Sequence, residues 1–109
     1  MCRLNKFTSY AVDEANYSPL RYKLGAIIFK GGSILSRGYN YDTIHAEEHA
    51  LKKLKPHQIE GADILVVRIN TTGLAMAKPC RKCHKKLVQN GIKRVFYSNN
   101  EGTIEIMRL

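Results

Sequence analysis

The sequence predicts an α/β fold, a sheet covered by helices, and three observations carry that prediction. Gly31-Gly32 sits between the apolar runs 24–30 and 33–38, a turn pair that signals a hairpin. Residues 62–69 (A-D-I-L-V-V-R-I) form a nearly continuous apolar run, suited to a strand covered on both faces. Three other stretches carry apolar residues at helical rather than alternating steps.

In chain order, Leu4, Phe7, Ala11 and Ala15 are helically spaced and Pro19 stops the run, so residues 3–16 are expected to open the fold as a covering helix. The hairpin follows, its second strand ending at Gly38-Tyr39-Asn40-Tyr41-Asp42, where Asn40 and Asp42 read as turn residues. A helix should then start at His45 and end near Lys55-Pro56. Its apolar stripe is Ala50, Leu51 and Leu54, with Glu48, Lys52, Lys53 and Lys55 opposite. After the apolar strand comes a loop of about nine residues, 70–78. Residues 80–90 read as a helix with Pro79 at its start and Gly91 as its stop, and Cys80, Cys83 and Leu87 share one stripe, which turns both thiols inward. The last two strands, 94–98 and 103–107, are separated by only four residues, too few for a parallel crossover, so they pair antiparallel or not directly.

The 109 residues suffice for one domain with a single core, spanning 1–109, and 44% hydrophobic with 25% charged residues is a globular composition. The first residues lack the apolar stretch of a signal peptide and no run is long enough to span a membrane, so a soluble, cytoplasmic chain is expected. Three cysteines, an odd number, argue against a disulfide framework; Cys2 reads as a spare thiol, and the Cys80/Cys83 pair points to metal or redox chemistry. Eighteen Lys and Arg against nine Asp and Glu leave a net charge of +9, a field that favours phosphorylated or polyanionic partners. Between residues 78 and 94 lie Lys78, Arg81, Lys82, Lys85, Lys86, Lys93 and Arg94, with no acid among them.

His45 and Glu47 are two residues apart, and at about 100° per residue they cannot share a face inside a helix. At a helix start the constraint relaxes, because the capping residue is not yet helical. His45 is therefore placed at the entrance, with Glu47 one step inside on the apolar stripe. A carboxylate there is costly unless paired, hydrogen-bonded or near a metal. His45, Cys80 and Cys83 together offer one nitrogen and two sulfurs, and three protein ligands plus an open position is how catalytic zinc is held.

His45-Ala46-Glu47 followed by Pro79-Cys80-Arg81-Lys82-Cys83 resembles the H-x-E…P-C-x-x-C signature of the zinc-dependent cytidine deaminase-like superfamily, over the element order of residues 24–98. The resemblance implies a three-layer α/β/α fold with a mixed five-stranded sheet, helices on both faces and the last two strands antiparallel. It implies Zn²⁺ on His45, Cys80 and Cys83, and Glu47 as the residue that activates water, protonates N3 of a cytosine ring and hands a proton to the departing amine. The short final hairpin is similar to free-cytidine and toxin-like deaminases. Relatives acting on tRNA adenosine, deoxycytidylate or polynucleotide cytosine look like they need a crossover helix, for which this chain has no room. Asn40, in a G-x-N, stands where the family places a substrate-binding Asn. Asp42 stands in for a ribose-binding acid, and Ala46, inside the first motif, and Lys78, just before the second, are expected substrate contacts. Tyr39 and Tyr41 offer rings for a base to stack on, against plain packing.

Arg81 and Lys82 replace the small residues of free-cytidine enzymes. With Lys85, Lys86, Arg21 and Lys23 they would form a basic rim of use beside phosphates. The expected reaction is therefore conversion of cytosine to uracil, in single-stranded DNA or RNA ahead of free cytidine, deoxycytidine or a nucleotide. Three rivals stand beside it. Cys80-Arg81-Lys82-Cys83-His84 spells the C-x-x-C-H of c-type haem attachment, and a thioredoxin-like redox pair leaves His45 and Glu47 without a role. A non-catalytic zinc-bearing nucleic-acid-binding module lacks finger spacing after Cys83. His49, His57 and His84 are expected to face solvent.

Overall fold

The computed structural model describes residues 2–109, without the side chains of residues 2 and 3, so the expectation for the Cys2 thiol lies outside the described residues. The elements are α1 (Cys2–Asn16), β1 (Lys23–Lys30), β2 (Ser33–Tyr39), α2 (Ala46–Leu51), α3 (Pro56–Ile59), β3 (Asp63–Asn70), β4 (Gly73–Ala75), α4 (Arg81–Gln89), β5 (Arg94–Ser98) and β6 (Ile104–Arg108). The strand order is β2-β1-β3-β5-β6, with β4 added beside β3. β1 runs antiparallel to β2 and β3, β3 is parallel to β5, and β5 is antiparallel to β6, so the sheet is mixed and its last hairpin is as expected. The parallel pair starts at Asp63 opposite Arg94, whose guanidinium donates two hydrogen bonds to the carboxylate, at 2.7 and 3.1 Å.

Backbone alternation divides the core between two faces. Ile27, Phe29, Leu65, Val67 and Phe96 point toward Phe7 and Ala11 of α1. Their neighbours Ala26, Ile28, Ile64, Val66, Val95 and Tyr97 point the other way, onto Ala46, Ala50 and Leu51 of α2 and Leu87 of α4. The three layers are therefore α1, the sheet, and the α2/α4 pair.

Two local expectations change. The connection 70–78 is not all loop, because Asn70 Oδ1 accepts hydrogen bonds from Thr72 N (2.9 Å) and Thr72 Oγ1 (2.8 Å). The turn so closed returns the chain along β3 as β4. The second helix does not reach Lys55. It closes at Leu51 into a tighter turn, Leu54 N donating to the Leu51 carbonyl, and Pro56 holds Lys55 extended at φ −84°, ψ 155° before α3 begins.

Candidate active site

His45 enters the site through a compact loop. Tyr41 and Ile44 exchange backbone hydrogen bonds of 3.1 and 2.8 Å, and Asp42 takes φ +51°, a left-handed position that Asp tolerates better than most residues. This turns the chain so that His45 becomes the extended cap of α2, at φ −79°, ψ 157°. Its backbone N–H donates to Glu48 Oε1 at 3.1 Å, and its carbonyl accepts the first helical bond from His49. Cys80 does the same for α4, extended at φ −67°, ψ 168°, with its carbonyl accepting from His84 N at 2.8 Å. Two helix starts thus meet over the same face of the sheet. Lys86 of α4 is ion-paired with Glu48 of α2 across the gap.

At that meeting point His45 Nδ1 lies 3.0 Å from Cys83 Sγ and 3.9 Å from Cys80 Sγ, and all three atoms fall within 4.8 Å of one another. A tetrahedral zinc with about 2.3 Å to sulfur and about 2.0–2.1 Å to nitrogen sets its ligand atoms roughly 3.5–3.8 Å apart, so the three fit that ion and leave a fourth position open. Cys83 is buried, and Cys80 is exposed. The single inward stripe of Cys80, Cys83 and Leu87 is therefore corrected. As the cap, Cys80 sits outside the helical repeat and faces the cavity while Cys83 and Leu87 face the core.

The cavity beside these ligands encloses about 300 Å³ and is lined by His45, Glu47 and Cys80 together with Asn40, Asp42, Ala46 and Lys78. Glu47 is 4% exposed, and burial raises its pKa above the ordinary carboxylate range. Asn40 is held rigidly: its Oδ1 accepts from Leu24 N (2.8 Å) and its Nδ2 donates to the Tyr22 carbonyl (2.6 Å). That leaves one amide hydrogen and one lone pair for the cavity.

Tyr39 and Tyr41 are corrected, since neither lines this cavity. Both rings stand edge-on to His49, at 4.8 and 5.0 Å, because His49 follows His45 by one turn on the flank of α2 next to β2. His49 is corrected with them. It is partly buried, and its Nδ1 accepts from Tyr39 N at 3.0 Å. His84 is also partly buried rather than fully exposed, being in the first turns of α4 beside Cys83, and His57 is exposed as expected. Of the basic rim, Arg81, Lys82 and Lys85 are exposed on α4 and Arg21 is exposed before β1. Lys86 and Lys23 are engaged within the protein, Lys86 with Glu48 and Lys23 by donating to the Ser18 carbonyl.

Motif reading missed the apolar wall, made of Leu20, Leu24, Ile44 and Ala77, and also Thr43.

Residues 1–99 match the family model described as the cytidine and deoxycytidylate deaminase zinc-binding region. Among solved structures, the chain is similar to dCMP deaminase from the cyanophage S-TIM5 in apo form, with 30% identity, a TM-score of 0.69, and 88% of this chain and 82% of that one covered. The same phage enzyme in complex with dCMP and dUMP gives 28% identity and a TM-score of 0.68, covering 88% and 80%. Cytidine deaminase from Burkholderia pseudomallei has a TM-score of 0.72 at 20% identity, covering 92% and 87%, a likeness of fold alone. No curated protein matches the chain. The 30% identity is thus to a deoxycytidylate enzyme, one of the relatives that the short final hairpin was expected to set apart from this chain.

Proposed function

The chain belongs to the cytidine and deoxycytidylate deaminase family of zinc-dependent enzymes, and from that premise we propose that its substrate is a cytosine mononucleotide, hydrolysed to the uracil nucleotide and ammonia. The observation that carries the reading is the cavity. At about 300 Å³ it is at the small end of small-molecule sites, it is walled by apolar side chains, and it places Lys78 rather than an aromatic shelf among its lining. A base with its sugar suits that volume, and a phosphate suits a basic rim. The S-TIM5 relative is a dCMP deaminase whose structure holds dCMP and dUMP, which supports the same choice.

His45, Cys80 and Cys83 would hold the zinc. When bound, the ion would supply the Lewis acidity that makes water a better nucleophile near neutral pH. Glu47 is the proton carrier in this scheme. Its burial favours the protonated carboxyl more than water does, so it can take one proton from the attacking water and deliver it to N3 as the water oxygen bonds C4, then move the second proton of that oxygen to the amine as the C4–N bond breaks and ammonia leaves. Ala46, between the two, presents only a methyl group and leaves room for the ring edge. Asn40, fixed by its two backbone bonds, orients the sugar with its remaining donor and acceptor.

A second reading, cytosine within single-stranded nucleic acid, is favoured by one observation: Arg81, Lys82 and Lys85 stand exposed on the helix that begins at Cys80. The stacking part of that reading has no support, because Tyr39 and Tyr41 pack on His49. Uracil formation from dCMP, CMP, deoxycytidine and single-stranded oligonucleotides, measured over a salt series, separates the readings. Mononucleotides should be turned over fastest. Faster, steeply salt-sensitive turnover of oligonucleotides would overturn the mononucleotide assignment.

A further inference from the structure

We infer that Arg21 and Arg68, both stacked on the ring of Tyr22, form an anion subsite at the edge of the cavity that takes the 5′-phosphate of the nucleotide. The inference rests on the mononucleotide reading and gives it specific residues.

The guanidinium carbon of Arg68 lies 4.5 Å from the centre of the Tyr22 ring and that of Arg21 lies 5.7 Å from it. Two like charges gathered on one ring repel each other, and the ring face compensates only part of that. Among the described residues neither arginine has a carboxylate within 4.0 Å; the ion pairs are Lys86–Glu48 and Arg94–Asp63. The Nε of Arg68 is buried and has no hydrogen-bond partner. A buried donor without an acceptor is uncommon in folded proteins and needs a reason. A guanidinium held there without an acceptor is set to take an oxyanion on its fork, whose planar geometry matches phosphate.

The position fits a phosphate attached to a sugar in the cavity. Leu20 and Leu24, on either side of the Arg21–Lys23 segment, both line the cavity. The Tyr22 carbonyl accepts the hydrogen bond of Asn40 Nδ2, another lining residue. Arg68 is paired with Leu24 across β1 and β3, so the two side chains rise on the same face of the sheet. Tyr22 is 55% exposed, which leaves the cluster open to a ligand.

The test compares dCMP with deoxycytidine on the zinc-loaded enzyme and on Arg21→Ala, Arg68→Met and Arg68→Lys. Arg21 is exposed, so its variant serves even if removing Arg68 disturbs folding. KM for dCMP should rise roughly 10- to 100-fold in Arg21→Ala and Arg68→Met, with kcat little changed and deoxycytidine unaffected, and Arg68→Lys should recover part of the loss. Calorimetric titration with inorganic phosphate reads the same site without turnover, and binding should weaken in both variants. If dCMP keeps its advantage and phosphate binds unchanged in the variants, the subsite is wrong while the substrate reading stands. If the wild-type enzyme treats dCMP and deoxycytidine alike, the substrate reading itself falls. Equal losses on both substrates would assign the arginines a structural role only.

Discussion

The face of the sheet under α1 and the face under α2 and α4 use alternate residues of the same strands, yet they are filled differently. Phe7, Phe29 and Phe96 stack on one another under α1, with ring centres 4.8 and 5.8 Å apart. Under α2 the contacts are Ala26, Ile28, Ala46 and Ala50, with Gly38 beneath the helix. α1 also lies close, over Gly25, but no group of the site depends on its height. The other face must hold two helix starts low enough for a histidine from one to meet cysteines from the other, and small side chains permit that approach. One face supplies stability, while the second trades some of it for position.

Deleting one residue from each face should separate them most sharply. Phe96→Ala removes a ring that is 7% exposed and should cost about 3–5 kcal/mol of stability, while the chains that remain folded keep one zinc each and normal turnover. Cys83→Ala removes a thiol that is 1% exposed and should abolish both zinc and activity, with a smaller packing loss of its own. Denaturant unfolding, metal content and deamination rate measured on both variants check this. Full metal and activity in Cys83→Ala would remove the proposed site.

Glu47→Gln is next in size. It should retain zinc and lower kcat/KM by about 10²–10⁴, the usual range for losing a positioned acid–base group. It also exposes the trade-off in stability. In the metal-free protein burial raises the Glu47 pKa above its unfolded value near 4.5, so its stability contribution is whole below that pH and is lost as pH rises through the folded pKa. Metal-free Glu47→Gln should therefore melt higher than metal-free wild type at pH 7, and the gap should close toward pH 4. A lower melting temperature at pH 7 would show that the carboxylate stabilises the fold and is not held there for chemistry.

The glycines compare the faces at equal chemistry. A Cβ on Gly25 would sit 2.0 Å from the Ala11 carbonyl oxygen of α1, and one on Gly38 would sit 2.6 Å from the Ala46 carbonyl oxygen and 2.5 Å from Ala50 N of α2. Either alanine forces a helix off the sheet, at about 1–3 kcal/mol. Gly25→Ala should lose the more stability and keep its activity per folded molecule. Gly38→Ala should lose zinc affinity and activity beyond its stability loss, because α2 carries His45 and Glu47. Equal activity losses in the two would mean that helix height over the sheet does not set the site.

The same contrast explains what could be read from the residues alone. The hairpin at Gly31-Gly32, the helix stop at Gly91 and the paired motifs are local chemistry, and each lies where its spacing placed it. The run 62–69 is apolar on both sides of the strand, so nothing in it tells which face Arg68 takes. Only the pairing with Leu24 settles that. Tyr39 and Tyr41 flank Asn40 in sequence, but the left-handed turn at Asp42 and the packing of His49 draw both rings away from the cavity. Pro56 signals that a helix stops before it but not that α2 closes as early as Leu51, and the return of β4 along β3 depends on a hydrogen bond accepted by the Asn70 side chain that no periodicity reveals.

The smallest expected effect concerns the pair that joins the two halves of the metal site. Glu48 accepts from Lys86 and from the backbone N–H of His45, and those two hydrogen bonds, Lys86 first, hold its pKa below the usual carboxylate value. Its contribution is therefore present above pH 4.5 and is lost as pH falls through the folded value. Glu48→Gln keeps an acceptor for His45 N–H and loses the charge facing Lys86. Because Lys86 is open to solvent, the stability change should be smaller than for Gly25→Ala and should vanish in high salt. If the pair holds α2 and α4 in register, zinc affinity measured by competition with a chelator should fall a few-fold at low salt and recover the wild-type value in high salt. A zinc affinity that ignores both the substitution and the salt would mean that packing against the sheet alone fixes the distance between His45 and the two cysteines.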